Sequence, residues 1–244
     1  EEKDMDKITA YAAIGTPLND RPNSVSLYNL MIAVKKNDIE LVKLFANNFC
    51  GSNTKDEKGE TAFWVSALNG QYEISTLLVK EYNADPNILS NSGETLMHHA
   101  YNRKMYDLVY YLLDLGASPN VDDKEGVSVQ FKAFSDGNNE LAEIIQDYYK
   151  GDINRVRKDG YPLGHIILSK FGIERLEYLT KRGLNLEQKD SSNNTVFMEA
   201  VKKSNNIQAL KCLIENGSDI NTNDQGKYTP FYYTCADSNF CREK

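Results

Sequence analysis

The sequence predicts an all-α solenoid of stacked helix–turn–helix units, and three observations predict it. A small or hydroxylated residue followed by apolar residues recurs at Thr61, Thr95, Ser128, Pro162, Thr195 and Thr229, with every spacing 33 or 34 residues. A turn bearing Gly or Asn precedes the first five of these. After each recurrence come short stretches with apolar residues at i, i+3 and i+4, each marking a helix with one buried face. A weaker copy at Tyr28-Asn29-Leu30 extends the period toward the N-terminus. Six repeats and a partial seventh are therefore expected, starting near residues 24, 56, 90, 123, 157, 190 and 224. A unit that cannot bury its apolar faces alone must stack on its neighbours.

Within a unit the first element is the tight turn, as in Asp56-Glu57-Lys58-Gly59, Asn91-Ser92-Gly93 and Asp123-Lys124-Glu125-Gly126. Its last residue needs positive φ, which Gly accepts without cost and Asn tolerates next best. The hydroxyl that follows is an N-cap able to satisfy an orphan N–H of the first helix. That helix is short, as in Phe63-Trp64-Val65-Ser66-Ala67-Leu68, and breaks at Asn69-Gly70. A second helix follows, as in Glu73 to Leu78, Asp107 to Leu113 and Ala209 to Ile214. Gly116, Gly151, Gly183 and Gly217 stand just past second helices, where a left-handed C-cap is wanted, and an extended return closes the unit. Asp4 to Ile14 reads as an amphipathic helix before a Pro/Asn loop, so residues 1–23 are expected to cap the repeats and 24–244 to contain them. Ser238 to Lys244 is either a degenerate end cap or the start of a continuing chain.

Composition narrows the function. With 28 basic and 35 acidic residues among 244, and no block of like charge, a polyanion partner such as nucleic acid is disfavoured. No apolar run approaches the roughly 20 residues of a membrane-spanning helix. Cys50, Cys212, Cys235 and Cys241 are scattered and too few for a disulfide scaffold, which favours buried thiols in a reducing cytoplasm. The alternative is export with a leader removed, where Cys235 and Cys241 could bridge. The chain begins at Glu1 rather than Met, which fits either a trimmed chain or a lost leader.

Gly93-Glu94-Thr95-Leu96-Met97-His98-His99-Ala100, Thr229-Pro230-Phe231-Tyr232, Asn83-Ala84-Asp85-Pro86-Asn87 and Gly217-Ser218-Asp219-Ile220-Asn221 resemble the ankyrin repeat. The likeness covers about Ser24 to the C-terminus. It implies stacked helix pairs with short β-turn or hairpin loops, no cofactor, no metal and no catalysis. His98 and His165 take the family's His position, where the ring bonds to backbone at the turns. Departures gather between residues 128 and 170: Gln130 and Phe131 lie inside the motif, and Ile166-Ile167-Leu168 replaces its small pair. Altered stacking is expected there.

The resemblance also implies a concave face of turn tips and first helices that binds a folded protein. Placed on that pattern, the tip residues are Glu57, Lys58 and Glu60, then Asn91 and Glu94, Lys124 and Glu125, and Tyr161. First-helix residues are Trp64, Leu68 and Asn69, Asn102 and Arg103, Ser135, Ser169 and Lys202. Leu68, Tyr161 and Arg103 are the expected contacts, since apolar, aromatic and Arg side chains dominate interface hot spots. Trp64 fits either a contact or packing between units. The function expected is a non-catalytic binding module, monomeric by itself. Narrower alternatives are an immunity or inhibitor protein that neutralises a toxin or enzyme, and a bacterial effector aimed at a host protein. No nucleophile–base pair, phosphate loop or metal motif argues for an enzyme.

Overall fold

The computed structural model describes residues 23–48, 51–203 and 207–237, and the chain divides into two compact units at Ser118. The expected capping helix at 4–14, the terminal segment 238–244, Cys50 and Cys241 lie outside the described residues. Unit 1 holds α1 (Asn23–Lys35), α2 (Ile39–Asn48), α3 (Ala62–Leu68), α4 (Tyr72–Tyr82), α5 (Leu96–Asn102) and α6 (Tyr106–Asp114). Unit 2 holds α7 (Val129–Asp136), α8 (Asn139–Tyr148), α9 (Leu163–Lys181), α10 (Val196–Lys203), α11 (Ile207–Glu215) and α12 (Pro230–Asp237). Among the described residues the only extended pairings are isolated bridges, Asp122 with Ser128 and Val156 with Pro162.

Each unit is layered as its repeat demands. In unit 1, α1 packs on α3 and α2 on α4, so first helices stack on first helices and second on second. In unit 2, α7 packs on α9 and α9 on both α10 and α11. The apolar faces meet inside: Leu30, Phe45, Phe63, Ile74, Leu78 and Leu112 in unit 1, and Phe134, Leu141, Ile145, Leu163, Ile167 and Met198 in unit 2. Burying each such side chain stabilises by about 1.5–3 kcal/mol.

The turn chemistry lies where the sequence places it. Positive φ falls on Gly59, Gly93, Gly126, Gly160 and Asn193, one per repeat. Thr61 accepts from Trp64 N, Thr95 from His98 N, Ser128 from Phe131 N and Thr195 from Met198 N, each through its side-chain oxygen. Pro162 has no hydroxyl and makes no such cap. Two details differ from expectation. After α8 the positive φ falls on Lys150, at 53°, and not on Gly151. Gly151 is required for space instead, because a Cβ there would lie 2.2 Å from the Gln130 amide oxygen. The break between paired helices in the fifth repeat is reduced to one residue: α9 runs through Gly172, whose φ of 79° and ψ of −170° divide it in two.

The stack is also pinned along its extended returns. In unit 1, Asn53 Oδ1 accepts Asp85 N at 2.7 Å and Asn87 Oδ1 accepts Ser118 N at 2.7 Å. In unit 2, Asn120 Oδ1 accepts Asp152 N at 2.8 Å and Asn154 Oδ1 accepts Asn185 N at 2.7 Å. Asn120 and Asn154 each also donate through Nδ2, to Lys150 O at 3.0 Å and Gly183 O at 2.9 Å. Such bonds satisfy backbone groups that no helix uses.

Candidate functional site

In unit 1 the tips are held by hydrogen bonds of their own. Asp56 Oδ1 accepts Lys58 N and Glu60 N at 2.9 and 2.8 Å, closing its own turn. The next tip is tied to it: Asn91 N donates to Lys58 O at 3.0 Å and Asn91 Nδ2 to Glu57 O at 2.8 Å. Glu57, Lys58 and Asn91 are consequently exposed on a fixed backbone, with Glu60 and Glu94 half-buried beside them. Behind the tips stand the ends of α3 and α5. Leu68 is half-buried, Asn69, Asn102 and Arg103 are exposed, and Asn102 Nδ2 donates to Glu94 Oε1 at 2.8 Å.

Trp64 does not belong to this surface. Only 3% of it is exposed, because the first turn of α3 points its indole into unit 1, where the ring meets His99 edge-on at 5.8 Å. Of the two places open to Trp64 in the sequence, contact or packing, its burial leaves packing. His99, to which the sequence analysis gives no role, is the half-buried ring between Trp64 and Arg103. Burial lowers its pKa and the Arg103 cation lowers it further, against the pull of Glu94 and Glu60, so the ring is neutral at pH 7.

In unit 2 the predicted residues are more engaged with the protein itself. Lys124 and Glu125 are exposed at their tip, and Lys158 joins that tip to the next through Lys158 N to Glu125 O at 3.3 Å and Nζ to Lys124 O at 2.7 Å. Ser135 is half-buried and donates to Lys132 O at 3.1 Å, whereas Ser169 is exposed. Lys202 Nζ bonds Asn194 Oδ1 at 2.7 Å and Asp224 Oδ2 at 2.9 Å and lies 4.3 Å from the Tyr233 ring centroid. Bonds from Tyr233 and Lys202 hold the Asp224 carboxyl well below the usual carboxylate range. Tyr161 is half-buried; its hydroxyl donates to Glu199 Oε1 at 3.1 Å, and its ring is 5.4 Å from His165.

Glu199 is the functional group that the sequence reading missed. It is 6% exposed, with Oε1 bonded to Tyr161 and to the Lys203 ammonium. Its only sequence signal is an acid at a register position that holds Val65 in the second repeat and Ile166 in the fifth. His165 beside it donates from Nε2 to Asn194 O at 3.0 Å, the backbone role expected of it. Burial holds the His165 pKa down, so the ring adds no charge at pH 7. Of the cysteines, Cys212 and Cys235 are half-exposed, not buried, because both lie on helices near the end of unit 2. Among the described residues no three His, Cys, Asp or Glu side chains converge as metal ligands. No described helix is long and apolar enough to cross a membrane.

Residues 30–123 match the ankyrin-repeats family model in three copies. A putative ankyrin repeat protein of fowlpox virus is 27% identical over 206 residues, covering 84% of this chain and 34% of the viral protein. A probable 26S proteasome regulatory subunit of Saccharomyces cerevisiae is 27% identical over 154 residues, covering 61% of this chain and 68% of the yeast protein. Thus the chain spans about a third of the fowlpox relative. Among solved structures, the ankyrin repeat domain of Bcl-3 superposes with a TM-score of 0.63 at 19% identity, covering 84% of this chain and 92% of that one. The fold is that of ankyrin repeats, a general protein–protein interaction module that is typically non-catalytic.

Proposed function

Because the chain is built from ankyrin repeats, we propose that it acts without catalysis, binding a folded protein through the tips and first helices of unit 1. One observation carries this reading. Glu57, Lys58 and Asn91 are exposed on tips tied together by hydrogen bonds, and half-buried Leu68 and exposed Asn102 and Arg103 stand at the ends of the first helices. A surface ordered in advance loses little conformational entropy on binding. Its make-up, a half-buried Leu and an exposed Arg among polar residues, has residue types that protein interfaces use. The yeast relative, named as a probable regulatory subunit of the 26S proteasome, belongs by that name to a multi-protein assembly, which fits the same reading.

Affinity capture from the source cell, comparing wild type with Leu68→Glu/Arg103→Glu, tests it. Neither position is buried, so the variant should fold and give an unchanged far-UV circular dichroism spectrum. Retention of the captured partner is expected to fall at least about tenfold, the equivalent of about 1.4 kcal/mol and less than one hot spot commonly contributes. Equal recovery of the same protein by both would place its contact elsewhere.

A further inference from the structure

Wholly within unit 2, the helix break at Gly172 borders a cleft of about 290 Å³. Leu168 and Ile173 form one wall and Ala200 and Ala209 the other, so the sides are aliphatic. A Cβ on Gly172 would meet no atom within 4 Å, which shows the space that the break leaves empty. Glu199 also lines the cleft, 94% buried by the complement of its 6% exposure. Its two oxygens are used unequally. Oε1 accepts from Tyr161 and Lys203, whereas Oε2 is closed to solvent without a hydrogen-bond partner and lies 3.7 Å from His165 Nε2. That His165 nitrogen is already committed to Asn194 O, so it does not satisfy the carboxylate.

A buried anionic oxygen without a donor is costly, and a charge-assisted bond recovers more than a neutral one. Lys203 shows which chemistry the carboxylate accepts: it reaches Oε1 with an ammonium while 66% of its side chain stays in solvent. The pair is exposed on the Lys203 side only, so a guest cation gains the carboxylate by taking the place of that ammonium.

We propose that this cleft is a pocket for a basic side chain, Arg or Lys, presented by the protein partner, with the aliphatic stem between Leu168, Ile173, Ala200 and Ala209 and the cationic head on Glu199. The inference deepens the binding function argued above and rests on it for the partner being a protein. Long cationic side chains suit such a site because their stems are apolar and only their heads are charged. Once it has taken the place of Lys203, planar guanidinium, with its fixed fork of donors, can bridge both carboxylate oxygens where an ammonium reaches one. A guest of this class competes with Lys203 for the carboxylate, so the resident lysine sets the affinity.

The test uses the full chain and N-acetyl-arginine methylamide, followed through the protein's amide resonances. Saturable shifts are expected at Ser169, Gly172, Ala200 and Lys203, with a dissociation constant on the order of 1 mM. The neutral isostere N-acetyl-citrulline methylamide should bind at least about tenfold more weakly. Glu199→Gln, nearly isosteric and still an acceptor for Tyr161, should bring the arginine probe down to the citrulline level. Lys203→Gln, which removes the resident competitor, should tighten arginine binding about two- to fivefold. Equal binding of the two probes, shifts located elsewhere, or no saturable shift up to the solubility of the arginine probe would overturn the proposal. No partner is needed for this measurement, so it can fail while the capture experiment on unit 1 succeeds, and the reverse.

Discussion

Gly59→Ala is expected to destabilise unit 1 by about 2–4 kcal/mol, while Gly70→Ala, eleven positions along the same repeat, should cost only about 1–2 kcal/mol. Both glycines have positive φ, 80° and 73°, so both substitutions carry the strain of an L side chain in the left-handed region. They differ in what the new methyl meets. At Gly70 nothing lies within 4 Å, whereas at Gly59 the Cβ would sit 2.4 Å from Asn91 N. That backbone nitrogen makes the rung to Lys58 O, so the tips must separate and the rung is lost. Losing a backbone hydrogen bond adds about 1–3 kcal/mol. Urea denaturation followed by fluorescence checks it well, since Trp64 is the single tryptophan and is buried five residues from Gly59. Equal costs at the two positions would mean that the tip rung contributes nothing.

Phe134→Ala should cost unit 2 about 3–5 kcal/mol, the largest single effect expected in the molecule. Phe134 is 0% exposed on α7, whose faces pack against α8 and α9. Truncation leaves a ring-sized void there, which helices packed on both sides relax into only in part. Tyr148→Ala on α8 removes a ring of similar size that is 77% exposed, and should change stability by less than about 0.5 kcal/mol. Far-UV circular dichroism is the appropriate readout, because unit 2 contains no tryptophan. A cost below about 1 kcal/mol for Phe134→Ala would contradict the packing described for α7, α8 and α9.

What was legible in the sequence is what one repeat determines by itself. Gly59, Gly93, Gly126, Gly160 and Asn193 carry positive φ because each ends a four-residue turn, and the caps at Thr61, Thr95, Ser128 and Thr195 act within three residues. Features that depend on the neighbouring repeat were hidden, since their partners stand some thirty residues away. Gly151 looked like a C-cap, yet its lack of a side chain leaves room for Gln130 of the same repeat, fully buried at a motif position that holds Phe63, Met97 and Phe197 elsewhere. Asn53, Asn87, Asn120 and Asn154 share the repeat spacing, and that regularity could have revealed their bridging role. The candidate surface was legible at its tips and less so on its helices. Lys58 and Asn91 are exposed as expected, but Trp64 turns inward, and Tyr161 and Lys202 are anchored by Glu199 and Asp224. Glu199 itself escaped notice because an acid on a short helix reads as solvated until its burial is known.

The central claim is that unit 1 binds a folded protein through its tips and first helices, and amide hydrogen exchange on the captured complex tests it most directly. Exchange at residues 57–69 and 91–103 is expected to slow when the partner is bound, while the second helices at 72–82 and 106–114 keep the rates of the free chain. Slowing confined to the second helices, or an unchanged pattern throughout unit 1, would contradict it.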